Sequence, residues 1–334
     1  MAAGMRDVAA AASVSVGTVS NVLNAPHKVA PATVARVHAA IDELGFVRND
    51  AARQLKAQRS RCVALLVLDV GNPFFTDLAR GAERRAAQLN LTVLLGTSDD
   101  DAGRERSYIA TFDEQRVFGL LVSPVSDDLS RMRALHNRGT PVVLVDRDAT
   151  GTPFSSVAVD DVAGGRLAAD HLCATGRRKL AFVGGPRTLR QVRDRLRGAQ
   201  ESVAKTAGAS LEVVNTPELS VLAGRSVGEQ LRARRPEERP DAVFCANDLL
   251  AIGVLQALTQ PGDLEVPRDI ALIGYDDIDF ARSAVIPLSS IRQPSTQIGT
   301  AAVDLLAAAA DADHTPQHIV YQPELVIRAS TGTS

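Results

Sequence analysis

The chain has 334 residues, 45% of them hydrophobic and 23% charged, with a formal net charge of −2. That length supports two or three domains with cores of their own, and the absence of any run of about 18 apolar residues excludes a spanning helix. The cysteines Cys62, Cys173 and Cys245 are odd in number, far apart and without a CxxC pair, which argues against a disulfide framework or a zinc site and for a reducing, cytoplasmic setting.

Charge is uneven along the chain. Residues 1–61 carry Arg6, Lys28, Arg36, Arg48, Arg53, Lys56, Arg59 and Arg61 against Asp7, Asp42, Glu43 and Asp50, a net +4 that leaves −6 for the remainder. A small basic head on an acidic body suits a polyanionic partner. The AAAAS stretch at residues 9–13 resembles a signal-peptide cleavage site, but Arg6 and Asp7 precede it and no leucine-rich stretch does, so secretion is not expected.

The head reads as three short helices over residues 5–45. Val8, Ala9 and Ala12 form one apolar stripe, Val19, Val22 and Leu23 a second, and Val34, Val37, Ile41 and Leu44 a third. In SVSVGTVSNVLN, residues 13–24, valine and serine first alternate as in a strand, but the alternation fails after Val16 and helical spacing takes over. The first helix is expected over roughly 5–12, the turn at Ser13-Val14, and Ser15 as cap of the second helix. Val16, Gly17, Ser20 and Asn21 then face outward, uncharged and small enough to approach base edges. Pro31 suits the first turn of the third helix and Gly45 its end. Two short helices joined by a tight turn and braced by a third make a helix-turn-helix.

From Cys62 the texture changes. CVALLVL, LTVLLG, GLLVSP, PVVLVD, KLAFVGG, LEVVN, DAVFCA and DIALIGY are apolar runs separated by helical stretches such as 74–90 and 103–115. Continuous apolar strands alternating with helices predict parallel sheets buried on both faces, and the length of this region predicts two α/β lobes. A cleft at the carboxyl ends of their strands would then be lined by the residues that follow each run. Phe74 and Phe75, Asp146 and Arg147, Asn247, and Asp276 occupy such places.

The head from MRDVAAAASVSVGTVSNVLN to NDAARQLK closely resembles the DNA-binding region of the LacI/GalR family of bacterial transcription regulators. The likeness continues through NPFFTDLARG, VDR, FVGGP, RLRG, FCANDLLAIG, LIGYDD and PELVIR, essentially the whole chain. It implies an all-α helix-turn-helix DNA-binding head (1–48), a hinge helix and linker (49–61) and an α/β periplasmic-binding-protein-like body of two parallel-sheet lobes (62–334). The N-lobe would hold about 62–158 and 293–317, and the C-lobe about 159–292 and 318–330. Ser15, Val16, Gly17, Thr18, Ser20, Asn21, Asn24 and Lys28 would meet double-stranded operator DNA, joined by Asn49, Ala52, Arg53, Leu55 and Lys56 of the hinge. Two departures stand out. Ser13 replaces the usual turn glycine, a cost if the position needs positive φ. Asn21 stands where many relatives have Arg, which shifts preference from guanine toward adenine.

By the same resemblance the hinge folds when two copies meet on the operator, and Leu55 wedges into the minor groove. Leu55→Ala should therefore weaken operator binding far more than non-specific binding. Equal losses in salt-matched titrations of both would remove the wedge. Arg195 in RLRG, Asn247 in AND and Asp276 in GYDD match positions that hold effector hydroxyls or carboxylates. Phe74, Phe75 and Phe244 match apolar walls, and Asp146 and Arg147 complete the expected set. The forked donors and acceptors suit a sugar or nucleoside. Asp248 and Asp277 are expected as helix caps.

The closing PELVIRASTGTS has no leucine heptad, so a homodimer without a tetramerising coil is expected. The rival reading, a solute-binding protein, shares the body but would lack residues 1–60 and need a secretion signal. An enzyme is not expected, since no GxGxxG follows a strand and neither a GxxxxGK[ST] loop, an HExxH pair nor a GxSxG elbow is present. Neither a cofactor nor a metal is implied.

Overall fold

A computed structural model describes residues 3–46, 60–260, 262, 264–311 and 314–332. The chain divides into two units at residues 59/60. The hinge residues Asn49, Ala52, Arg53, Leu55 and Lys56, with Arg48 and Arg59, lie outside the described residues.

In the head the helices are Met5–Ala11, Val16–Asn24 and Pro31–Leu44. Val8, Ala9, Ala12, Val19, Val22, Val37 and Ala40 form the core, with Val14, Leu23, Val34, Ile41 and Phe46 packed on it. Leu44, expected in the third stripe, is exposed. The Ser15 hydroxyl accepts from Thr18 N at 3.0 Å, the expected cap. Ser13 has φ 51°, so the turn does hold a non-glycine residue in the left-handed region, at the cost anticipated from its missing glycine. Gly45 has φ 57° and lets Phe46 N reach back to Ile41 O at 3.0 Å, which ends the third helix and returns Phe46 to the core. Arg36 serves the scaffold: its Nε donates to Ala12 O at 2.9 Å and ties the third helix to the end of the first.

Among the described residues the body has twelve strands in two six-stranded sheets. The N-lobe sheet contains β1 (Cys62–Val67), β2 (Thr92–Thr97), β3 (Gly119–Val122), β4 (Val142–Val145), β5 (Ser155–Val159) and β11 (His318–Tyr321), in the order β11-β5-β4-β3-β1-β2. The C-lobe sheet contains β6 (Lys179–Val183), β7 (Ser210–Val214), β8 (Ala242–Cys245), β9 (Ala271–Asp276), β10 (Ser289–Arg292) and β12 (Glu324–Val326), in the order β12-β10-β9-β8-β6-β7. Every pairing is parallel except β10 with β12. The right-handed crossovers that parallel pairing requires supply the helices that cover both faces. Central strands are therefore buried on both sides: Val63, Ala64, Leu65, Leu66 and Val67 of β1 are all buried, with Leu65 opposite Leu121 of β3.

The chain passes between lobes three times, after β5, β10 and β11. Residues 318–330 are expected in the C-lobe from the sequence, whereas His318–Tyr321 pairs with Ser156–Val159 in the N-lobe sheet. The expected helices at 74–90 and 103–115 are Pro73–Gln88 and Ala102–Glu114. No helix among the described residues is long and apolar enough to cross a membrane.

Candidate effector cavity and nucleic-acid interface

A cavity of about 330 Å³ opens at the carboxyl ends of the strands of both lobes. The N-lobe contributes Leu68, Asp69, Asn72, Phe74, Phe75, Asp99, Asp100 and Asp146, and the C-lobe Leu189, Gln191, Val192, Arg195, Glu218, Leu219, Ser220, Asn247 and Asp276. Six of the eight sequence-expected residues are thus brought together: Phe74, Phe75, Asp146, Arg195, Asn247 and Asp276. The other two are elsewhere. Phe244 is fully buried inside β8, its ring 5.2 Å from Phe182 and 6.5 Å from Tyr275. It lies within the paired part of its strand, so it packs into the C-lobe core instead of standing at the strand's end. Arg147 follows Asp146 but turns the other way, donating to Ser126 O at 2.5 Å and pairing with Asp127 at 3.1 Å.

Helix packing sets Arg195. It lies on helix Arg190–Val203, which meets helix Asp161–Ala174 backbone to backbone: a Cβ on Gly165 would sit 1.9 Å from Arg195 O. Only hydrogen fits there. The guanidinium is fixed by Asp161 Oδ1 and Ala246 O, both 2.7 Å away, and stacks 3.7 Å from the Tyr275 ring centroid. Burial alone would lower the Arg195 pKa, but Asp161, Tyr275, Asp276 and Asp146 hold it above the ordinary value. One turn earlier on the same face, Gln191 Nε2 donates across the lobes to Asp146 O at 3.0 Å and Oδ2 at 2.7 Å.

Asp276 ends β9 with φ 106°, and Asp146 follows β4 with φ 57°. Both are held in backbone conformations that cost free energy, as often happens where a side chain must be aimed. Asp276 accepts from Asn72 Nδ2 at 2.9 Å, across the lobes, and from Gln293 Nε2 at 2.7 Å. Burial raises its pKa to about 6 against the pull of Arg195, Asn72 and Gln293. Burial, with Asp161 nearby, raises Asp146 to about 8.

Asn247, not Asp248, caps helix Asp248–Thr259, its Oδ1 accepting from Leu250 N at 2.9 Å and its Nδ2 donating to Leu219 O at 3.1 Å. Asp248 instead accepts from Ser290 Oγ and Ile278 N, and Asp277 pairs with Arg292 and Arg328, so neither is the helix cap expected of it. Asn72, Gln191 and Gln293 carry no sequence signal beyond their neighbourhood. Their roles depend on partners that only the fold supplies.

Asp100 is unusual among the lining carboxylates. Burial, then Asp69, Asp99 and Glu218, raise its pKa from 3.8 to about 6. An acid whose folded pKa is raised binds its proton more tightly when folded, so ionisation costs stability progressively from pH 4 upward and fully above pH 6. The full cost would be about 3 kcal/mol, and solvent screening of a partly exposed group reduces it to about 1 kcal/mol. Asp100→Asn should therefore raise the melting temperature by about 2–4 °C at pH 8, with the gain vanishing near pH 4. A gain independent of pH would show that Asp100 bears no such repulsion.

On the head, Val16 is 40% exposed, Gly17, Asn21 and Asn24 are exposed, and Thr18 and Ser20 are half-buried. The outer face of helix Val16–Asn24 therefore presents short uncharged groups. The Ser15 and Thr18 hydroxyls lie 2.9 Å apart, and Asn24 Nδ2 donates to Ser20 O at 2.8 Å. Lys28 is exposed in the turn after it.

Comparison with known proteins decides what this combination is. Residues 4–49 match bacterial regulatory proteins of the lacI family, and residues 169–331 match a periplasmic binding protein-like domain. The chain is 36% identical over 304 residues to the ribose operon repressor of Bacillus subtilis, spanning 91% of this chain and 90% of the relative. The chain belongs to the lacI family. It superposes on the Lac repressor dimer bound to operator and the anti-inducer ONPF with a TM-score of 0.85, 26% identity and full coverage of both chains. A LacI family regulator from Enterococcus faecium with bound ribose gives a TM-score of 0.73 at 25% identity, covering 81% of this chain and 98% of that one. As a lacI family member, the chain is a ligand-responsive, sequence-specific DNA-binding regulator of transcription, and this favours that reading over a solute-binding protein.

Proposed function

We propose that the protein is a cytoplasmic repressor whose homodimer holds a pseudo-palindromic operator and whose grip is set by a hydroxyl-rich small molecule, of sugar or nucleoside class, bound in the body cavity. The observation that carries this is the pair of hydrogen bonds across that cavity, Asn72 to Asp276 and Gln191 to Asp146. A guest seated among these groups competes for the contacts that join the lobes, and so favours one lobe arrangement by its differential affinity. Phe74, Phe75, Asp146, Arg195, Asn247 and Asp276 would be its contacts. Val16, Gly17, Ser20 and Asn21 would read base edges, with Lys28 and the hinge basic residues on phosphates. Two such heads require matched half-sites.

The effector's kinship with ribose is supported by the relatives' names. The exposed apolar side chains Leu222, Phe280 and Val285 of the C-lobe are offered as part of the dimer surface. Cys62, Cys173 and Cys245 are free thiols, in keeping with a reducing compartment.

The test is a thermal-shift screen of sugars and nucleosides, in which any ligand of the folded body raises the melting temperature by mass action. Operator binding is then measured with and without each hit. A stabilising ligand that also changes operator affinity is the expected result. A protein that prefers no genomic fragment over bulk DNA, with or without such ligands, would end the proposal.

A further inference from the structure

The polar groups of the cavity are unbalanced. Asp69, Asp99, Asp100, Asp146, Glu218 and Asp276 line it, and among the described lining residues Arg195 is the one cation. That guanidinium is already committed to Asp161, Ala246 O and the Tyr275 ring. Asp99 is offset by its ion pair with Arg104, which leaves Asp69 and Asp100 of the N-lobe and Glu218 of the C-lobe as the acidic edge.

Elsewhere in the lining, two buried polar oxygens have no partner among the described residues. Asp146 Oδ1 and Gln191 Oε1 are unpartnered, on residues only 4% and 7% exposed. Buried polar atoms are ordinarily satisfied, so this pair points to a guest with hydroxyls, which donate to Gln191 Oε1 and can either donate to or accept from the Asp146 carboxyl. Hydroxyls can donate in both places, since an acidic edge also accepts from hydroxyls. A phosphate group placed against that edge cannot: as a dianion it has no donor there and sets like charge against like in a partly desolvated space.

We propose that Asp69, Asp100 and Glu218 form an anion filter, by which the cavity takes an uncharged, hydroxyl-bearing compound and rejects its phosphate ester. This rests on the hydroxylated effector proposed above and adds the residues that set its charge. The regulator then reads the substrate of a phosphoryl-transfer step and ignores the product, so its signal persists only while the free compound does.

Calorimetric titration of the full chain with D-ribose and D-ribose 5-phosphate, and with D-glucose and D-glucose 6-phosphate, tests it. For a pair whose parent binds, the ester should bind at least about 100-fold more weakly. In Asp69→Asn/Asp100→Asn/Glu218→Gln that ratio should fall below about 10. The single variant Glu218→Gln, at an exposed site, should lower it by about 3-fold and guards against a misfolded triple variant. An ester that matches or exceeds its parent, or a ratio that both variants leave unchanged, overturns the filter while the regulatory reading stands. If no member of either pair binds, the sugar form of the reading fails and the filter for sugar esters falls with it.

Discussion

Replacing Asp276 with alanine should leave operator binding of the ligand-free protein unchanged and raise the effector concentration needed to alter it by about 100-fold or more. The carboxylate stands at the end of β9, buried, with Asn72 and Gln293 donating to its two oxygens and Arg195 Nη1 3.9 Å away. A charge-assisted hydrogen bond is worth about 1.5–3 kcal/mol, or roughly 10- to 100-fold in affinity, and a ligand hydroxyl in this corner would lose one or two of them. Alanine also leaves the Asn72 and Gln293 amides without acceptors, so the body should lose about 2–4 kcal/mol of stability. The head, whose core shares no residue with the body's, makes the operator contacts, and the second inter-lobe bond, Gln191 to Asp146, remains in the variant to hold the ligand-free arrangement. The measurement is operator titration at fixed effector concentrations, with a melting curve to confirm a folded body. An effector midpoint equal to that of the wild type would remove Asp276 from the site.

The sequence discloses strands by apolarity, which explains both what it revealed and what it hid. The eight apolar runs named from sequence each contain a strand. β5, SSVAV, and β10, SSIR, escaped notice because they begin with hydroxyls, yet Ser155, Ser156, Ser289 and Ser290 are all buried. Their burial is tolerated because each hydroxyl is paired: Ser155 with His314, Ser156 with His318, Ser289 with Thr331 and Ser290 with Asp248. Those partners are 42 to 162 residues away along the chain, beyond the reach of local periodicity. β11 was misassigned to the C-lobe for a related reason, since its lobe is decided by pairing with β5.

The cavity was legible wherever a residue's place follows from the end of a strand. Asp146, Asn247 and Asp276 were found this way, and Arg195 by its motif. The rule fails for Arg147, whose direction is set by Ser126 and Asp127, and the resemblance that placed Phe244 in an apolar wall fails because Phe244 is still inside its strand. The rule is silent on Asn72, Gln191 and Gln293, neutral amides whose importance comes from the carboxylates they meet. Asp69, Asp99, Asp100 and Glu218 carry no local signal, and it is the fold that gathers them around one space. In the head, the sequence showed the capping serine, the turn and the outward face, because an N-cap and helical spacing are local properties.

The second large effect is expected at Arg195. Arg195→Ala should destabilise the body by about 3–5 kcal/mol, because it strands the buried Asp161 carboxylate that the guanidinium now meets at 2.7 Å. Lysine should not rescue it. A single ammonium cannot reach Asp161 and Ala246 O together while stacking on Tyr275, whereas the planar fork of arginine does all three. The double variant Arg195→Met/Asp161→Asn removes both charges and keeps most of the volume, so it should recover much of the lost stability. Its effector binding should nevertheless stay weak, because the guanidinium that orders the cavity floor is gone. Stability and binding are therefore expected to separate: melting curves distinguish the alanine variant from the double variant, and titration with the effector does not. If Arg195→Ala melts within about 1 °C of the wild type, against the several degrees that such a loss should produce, the ion pair contributes little and Arg195 holds the fold less than its contacts imply.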